Sequence, residues 1–535
     1  MLYHSSKESE YRLPYGAAEV GSSVHLSIAA DCAKSVLLRV WTDETKETMH
    51  VMNHISDTNL FEIDLKMPDE PTVLWYFFVV NYDDKTICYG NNRKRTGGEG
   101  EVYENEEPQS YQITVYEDYS APLWYKNAVI YQIFPDRFYR AENGVDNKAL
   151  EGKKIEDWTT LPYYIKNEDG SIKEWNYWAG NLKGIIEKLP YLSELGITCI
   201  YLNPIFKARS NHRYDTSNYM MIDPMLGTED DFVLLCNKAK NQGIRIILDG
   251  VFSHTGIDSK YYTENPSWYT GGFWWGVKDL PEVNENNPEF TEFICGENGV
   301  IRYWLRLGAS GFRLDVADEL PDEFIENVRR AVKSENPNAV LIGEVWEDAS
   351  NKISYGHRRK FVHGRQLDGA MNYPLREDII AFLNYEINAY EFAERINSRM
   401  ENYPKEAFYA NFNLIGSHDR ARILSVFDGS KDKLKVAAML SFVLPGAPVI
   451  YYGDEAGVTG SVDPDNRRTF PWDNRDEELE EFYKILIREY KHSPELMSGD
   501  LSIYAVNDDE LSIIRSLGSK LRKIRVNRDA LTCNL

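Results

Sequence analysis

The sequence predicts an α/β fold: a (β/α)8 barrel of the TIM-barrel class, preceded by a β-sandwich and followed by a shortened C-terminal β segment. Three observations carry this. Eight short apolar runs alternate with helical patterns between residues 128 and 452. Before them, from 24 to about 115, apolar and polar residues alternate in short stretches separated by polar turns. The acids, histidines and arginine that stand out in mid-chain fall at the carboxyl ends of predicted barrel strands, where barrel sites are built.

The sandwich, residues 1–120, is read from strands at 23–28, 36–41, 60–65 and 73–80, with turns such as Asp57-Thr58-Asn59 between them. Ser120-Ala121-Pro122 reads as a linker into the barrel, which occupies 121–492. Its candidate strands are 128–134, 197–202, 244–249, 312–316, 340–344, 367–371, 412–415 and 448–452. Helical patterns at 182–195, 229–241, 321–334 and 431–444 lie between them. A doubly wound sheet is the alternative, but no GxGxxG follows any strand. Two connections are long, 203–227 and an inserted region at about 251–288 that is rich in Trp and Gly. The segment 493–535 holds two predicted strands, 501–506 and 510–514, and then a basic tail with Lys520, Arg522, Lys523, Arg525 and Arg528.

Bulk properties narrow the partners. A net charge of −24 opposes a nucleic-acid partner and an anionic membrane surface. Twelve Trp and 35 Tyr suit the apolar faces of sugars as well as cores. The six cysteines show no CxxC pair, disulfide framework or zinc spacing. The first twelve residues are polar, and nowhere does an uncharged apolar run reach bilayer length, so a cytoplasmic protein is the simplest reading.

The chemistry is concentrated in Gly311-Phe312-Arg313-Leu314-Asp315-Val316. Side chains two apart on a strand share a face, so Arg313 and Asp315 point into one site. The guanidinium is expected to keep Asp315 ionised. Glu344 closes the apolar run Val340-Leu341-Ile342, which is expected to raise its pKa. One ionised and one protonated carboxyl group is what glycoside hydrolysis needs. Asp249 and His254 follow the third strand, and His418 and Asp419 the seventh. Asp249 reads equally well as a structural partner of Arg313.

Taken together, the segment from Leu248 to His254, the GFRLDVADE segment, Gly343–Trp346 and Gly416–Asp419 resemble the four ordered motifs of the alpha-amylase family of glycoside hydrolases. Gly180–Gly184, Asn211–Asp215 and the GAPVIYYGDE run at 446–455 agree, so the likeness covers roughly 122–490. The N-terminal sandwich, AVIYQIFPDRF at 128–138 and DPDNRR at 463–468 resemble the cyclomaltodextrinase, neopullulanase and maltogenic amylase subgroup.

That resemblance implies Asp315 as nucleophile, Glu344 as general acid/base and Asp419 as transition-state stabiliser. It implies substrate binding by Tyr214, Asp249, His254, Arg313, Trp346, His418, Asp465 and Arg468. The implied reaction is double displacement with retention on α-1,4 bonds of cyclodextrins and maltooligosaccharides. Pullulan cleavage and glycosyl transfer stay open, as do an α-glucosidase or α-1,6-glucosidase of the same family and a non-catalytic sugar-binding relative. The subgroup also implies a homodimer. No cofactor is required. A calcium site after the first strand is an option through Asn143, Asp146 and Asn147, although the Asp that relatives carry after the glycine is missing and a solvated turn is the favoured reading of the segment.

Several positions depart from the family pattern. Ser253 stands where Asn is usual, Glu282 where the subgroup has lysine, and Arg420 where Thr is usual. The short segment after the barrel implies a truncated or frameshifted end, with a chain that folds poorly as its consequence.

Overall fold

The computed structural model describes residues 1–535 except Asn143, Asp169, Gly170 and Leu535. Its N-terminal part holds β1 (Ser23–Ala30), β2 (Ser35–Trp41), β3 (Leu60–Lys66), β4 (Thr72–Asn81), β5 (Thr86–Gly90) and β6 (Tyr111–Tyr116). β1 and β3 pair antiparallel in one sheet. In the other, β4 is central, with β2 on one edge and β5 and β6 in succession along the opposite edge. The alternation explains the layering. Val24, Leu26 and Ile28 of β1 face Val36, Leu38 and Val40 of β2 and Tyr76, Phe78 and Val80 of β4 in one closed core.

The barrel is built from β7 (Ile130–Ile133), β8 (Cys199–Leu202), β9 (Arg245–Gly250), β10 (Gly311–Leu314), β11 (Val340–Gly343), β12 (Gly369–Ala370), β13 (Phe412–Leu414) and β14 (Ala447–Tyr451). All adjacent pairs are parallel, in the order β12-β11-β10-β9-β8-β7-β14-β13. A parallel bridge from Met371 to Phe412 joins the two ends of that series and closes the ring. The predicted (β/α)8 architecture is what forms. Helices α1 (Leu182–Leu195), α2 (Glu229–Asn241), α3 (Asp322–Glu335) and α4 (Lys431–Val443) fall on the predicted segments within a residue. Each begins where its sequence supplies a stop to the preceding loop: Asn181 caps α1, and Thr228 with Asp231 forms a reciprocal capping box at α2.

Pleating sorts the side chains. Ile200, Leu202, Ile246, Leu248, Phe312, Leu314 and Leu341 pack outward under the helices. Cys199, Tyr201, Ile247, Val340, Ile342, Leu414 and Val449 fill the barrel interior. Continuing the inward set by two residues toward each carboxyl end reaches Asp249, Arg313, Asp315 and Glu344, so one periodicity supplies both the packed interior and the site above it. Gly311 is required for this closeness. Its φ is 156°, and a Cβ there would lie 2.3 Å from the Val340 carbonyl oxygen.

The segment after the barrel departs from expectation. Instead of two strands and a tail, β15 (Asp500–Asn507), β16 (Glu510–Leu517), β17 (Lys520–Asn527) and β18 (Thr532–Asn534) form a four-stranded antiparallel sheet. The basic stretch is β17. Its Ile524 and Val526 are buried with Leu511 and Ile513, while Arg522 and Arg525 pair with Glu495 and Glu510. Arg528 is buried and donates to the carbonyls of Phe382 and Ile387, tying this sheet to the barrel.

Candidate active site

A cleft of about 660 Å³ opens above the carboxyl ends of the barrel strands. Asp315, Glu344, Asp419, Tyr214, His254 and Trp346 line it, as the sequence predicts. Asp249, Arg313 and His418 stand behind this wall, each almost completely buried.

Arg313 organises the acids. Its Nη1 donates to Asp249 Oδ1 and to Asp315 Oδ1, both at 2.7 Å, and its Nη2 forms an ion pair with Glu344 Oε2 at 2.9 Å. Glu344 Oε2 also accepts the Val316 N–H at 2.8 Å. Val316 reaches that position with φ of 38°, an unusual backbone angle for a β-branched residue, so local strain is stored directly after Asp315. Asp249 Oδ2 accepts hydrogen bonds from the hydroxyls of Tyr201 (2.6 Å) and Tyr214 (2.9 Å). Asp249 therefore acts as the partner of Arg313, one of the two readings the sequence left open.

Arg313 does not serve Asp315 alone. Burial pushes the Asp315 carboxyl well above the ordinary carboxylate range, against the pull of Arg313, with Glu344, Asp249 and Asp419 adding to the rise. Asp419 is pushed up to about 7 by burial and by Glu344, with Arg467 and Arg313 opposing. The apolar residues before Glu344 point into the core, so its carboxyl meets Arg313 and not a hydrophobic pocket.

Two histidines are held neutral. Burial pushes His254 down to about 3; its Nδ1 shares a hydrogen bond with Ser253 at 2.9 Å, and its ring stacks on Trp274 at 4.4 Å. Its Nε2 has no protein partner, and neither has Asp419 Oδ2. Burial, with Arg467, Arg313 and His212 opposing the charge, pushes His418 well below its usual value. Its ring lies parallel to Tyr214 at 5.3 Å, and its Nε2 contacts the Tyr214 hydroxyl and lies 3.2 Å from Asp419 Oδ1. Trp346 stacks on Tyr373 at 4.1 Å, and the Arg420 guanidinium lies 4.4 Å from its ring centroid. That contact gives the unusual Arg420 a place.

The structure moves one assignment. Asp465 and Arg468 pair with each other at 2.7 Å and do not line the cleft. Asp463 and Arg467 of the same segment do: Arg467 pairs with Asp463 at 2.9 Å, donates to the His418 carbonyl at 3.0 Å and lies 3.7 Å from Asp419 Oδ1. The physical reason is the single turn of 3-10 helix at Asp465–Arg467, which turns Arg467 under Asp419 and leaves Arg468 beyond it. Sequence reasoning also passed over His212, Tyr164, Trp274 and Trp275. His212 sits in a run already singled out, and the two tryptophans in the long Trp-rich connection, so the signal lay in those segments.

Asn143 lies outside the described residues. Asp146 is exposed and its carboxylate caps a short helix by accepting the Lys148 N–H at 2.9 Å, while Asn147 opens that helix. Among the described residues no three His, Cys, Asp or Glu side chains converge as a metal-binding set. Of the described pair, Asp146 is engaged as a cap, and Asp146 with Asn147 falls short of the six to eight oxygens that calcium takes.

The alpha-amylase catalytic-domain model matches residues 132–274 and 268–492. An amylopullulanase of Thermoanaerobacterium saccharolyticum is 37% identical over 95% of this chain and 46% of its own length. A cyclomaltodextrinase of Geobacillus thermopakistaniensis is 36% identical over 77% of this chain and 70% of that protein. Among solved structures, the cyclic alpha-maltosyl-(1→6)-maltose hydrolase of Arthrobacter globiformis superposes with a TM-score of 0.69 at 31% identity, covering 76% of this chain and 92% of that one. The chain spans between 31% and 46% of the length of the amylopullulanases it matches. With the barrel closed, the carboxyl groups gathered on one arginine and the catalytic-domain model matched across both, this chain belongs to the alpha-amylase family of glycoside hydrolases.

Proposed function

We propose that this chain is a retaining α-glucan hydrolase acting on α-1,4 bonds of cyclodextrins and short maltooligosaccharides. The observation that carries the reading is the single Arg313 guanidinium holding Asp315 on one nitrogen and Glu344 on the other. Carboxyl groups kept this close suit the separation of about 5–5.5 Å found in retaining enzymes, rather than the gap of about 6.5–9.5 Å that admits an inverting water. Glu344 protonates the glycosidic oxygen as Asp315 attacks the anomeric carbon. Glu344 then takes a proton from the water that releases the sugar. Asp419 and His254, which line the cleft, bind sugar hydroxyls, and Tyr214, Trp274 and Trp346 face the rings. Relatives named amylopullulanase and neopullulanase support adding pullulan to the substrates.

The test is incubation with β-cyclodextrin, maltotriose, isomaltose, pullulan and starch, with products separated by chromatography. Ring opening faster than starch attack is expected. Asp315→Asn is expected to lose about a thousandfold or more in kcat. NMR of the first product is expected to show the α-anomer, and a β-anomer would exclude double displacement. Exhaustive chelation is expected to leave the rate unchanged, since no step uses a metal; a rate lost to chelation and restored by calcium would overturn that. Exposed Trp275 at the cleft, with Tyr355 and Ile353 also exposed, supports a homodimer, and sedimentation showing only monomer at micromolar concentration would sink it. Six unpaired cysteines support a reducing, cytoplasmic setting, which fractionation of the producing cell checks.

A further inference from the structure

The protonation pattern of His418 follows from a chain of hydrogen bonds that starts at a carboxyl group. Asp249 accepts on both oxygens, from Arg313, Tyr201 and Tyr214, so the one hydroxyl proton of Tyr214 is committed to it. The Tyr214 oxygen can then only accept from its remaining neighbours. It accepts from Asn203 Nδ2 at 2.9 Å, which turns Asn203 Oδ1 toward the fully buried Gln132. An oxygen there requires a donor, so Gln132 presents Nε2, at 3.0 Å from Asn203 Oδ1 and 2.8 Å from His418 Nδ1. Gln132 Oε1 is left without a partner; rotating the amide would set that oxygen against Asn203 Oδ1. An N–H donated to Nδ1 leaves the imidazole proton on Nε2, where it faces the Tyr214 hydroxyl and Asp419 Oδ1.

We propose that Gln132, on the first barrel strand, is a positioning residue that, together with the accepting Tyr214 oxygen, fixes His418 as the neutral Nε2–H tautomer, with that N–H on Tyr214 and 3.2 Å from Asp419 Oδ1. With the other tautomer, the Nε2 lone pair would face both Asp419 Oδ1 and the Tyr214 oxygen, and Asp419 would be turned from its place beside Asp315 and Glu344. The consequence for rate rests on the proposed function; the tautomer does not.

The test is ring-15N labelling of histidine in the full chain, with the His418 signals assigned by their loss in His418→Gln. The wild type is expected to show Nε2 protonated and Nδ1 not. Gln132→Leu is expected to weaken that bias, leaving only the Tyr214 oxygen to favour it, and to lower kcat on a maltooligosaccharide about tenfold, with KM changed less than threefold. Gln132→Glu is expected to move the proton toward Nδ1. A wild type with Nδ1–H or imidazolium at pH 7 overturns the proposal, whether or not the variants fold. So does a Gln132→Leu chain that melts like wild type and keeps the Nε2–H pattern undiminished. A wild type inactive on every glucan would remove the proposed function and leave the tautomer result to stand or fall alone.

Discussion

Asp315 shares one guanidinium with Asp249 and Glu344, while Asp419 lies nearer Arg467, so the four carboxyl groups compete for insufficient positive charge. Their titrations belong to the cluster and not to single residues. Asp419 raises the pKa of Asp315, so deleting its charge lets Asp315 ionise at lower pH. Asp419→Asn is therefore expected to leave weak residual activity whose acidic limb in kcat/KM lies at lower pH than in wild type. An unmoved limb would show that Asp419 is uncharged where Asp315 titrates. The arginine and three acids were legible because strand alternation fixes which side chains share a face. Arg467 was not, because its place depends on a helical turn that brings together residues nearly fifty apart in sequence, and no periodicity reports that. The competition for Arg313 was not legible for a related reason: a neighbouring arginine is visible in sequence, but the number of acids it must serve is not.

At the scale of elements, strands and helices with regular burial were readable, and irregular connections were not. The long connection after the third barrel strand folds into a hairpin of Tyr269–Phe273 and Pro281–Val283. At its tip Trp274 and Trp275 stack at 4.6 Å, and both indole N–H groups donate to Glu319. Trp275 stays 74% exposed with φ of 49°, so little else holds it. Glu319→Ala is expected to free the tip and speed chymotryptic cleavage after Trp275 severalfold, with global melting nearly unchanged. Equal cleavage rates would mean that the backbone bonds of the tip (Trp274 N–H to Leu280, Val277 N–H to Trp274, Leu280 N–H to Val277) and the His254–Trp274 stack fix it without Glu319. The C-terminal sheet was half legible. Leu511, Ile513, Ile524 and Val526 alternate as buried strands do, but the lysines and arginines around them dominate the composition of β17 and disguise a half-buried strand as a solvated tail.

For the whole molecule, pH sets stability through groups taken out of water. Burial pushes Glu455 up to about 7 although Tyr131, Tyr191 and the Gly453 N–H donate to it; Asp454 and Asp215 are pushed up to about 6. An acid raised in the folded state binds its proton more tightly there, so its stabilisation is complete below its unfolded pKa and is lost as pH rises through the folded value. For Glu455 the rise from 4.5 to about 7 corresponds to about 3 kcal/mol, present at pH 4 and gone by pH 8. Buried histidines act oppositely. His4 and His254 are pushed down to about 3 and His363 to about 4, so their stabilisation is complete above 6.5 and is lost on acidification. Below pH 4 the histidines still lose stability and above 6.5 only the acids do, which places the maximum between those limits. Melting temperature is therefore expected to fall from pH 6.5 to 8. Growing repulsion at a net charge of −24 would bend the curve the same way, so the wild-type slope alone cannot assign the cause. Glu455→Gln separates them. It removes the titration while its amide oxygen still accepts the Gly453 N–H and its NH2 faces the Tyr131 and Tyr191 hydroxyls, so the variant should melt close to wild type at pH 6 yet show a smaller fall between 6.5 and 8. A variant with the wild-type slope would show that Glu455 does not take up its proton in this range and would move the effect to Glu285, pushed up to about 8 by burial, and to the carboxyl cluster around Arg313.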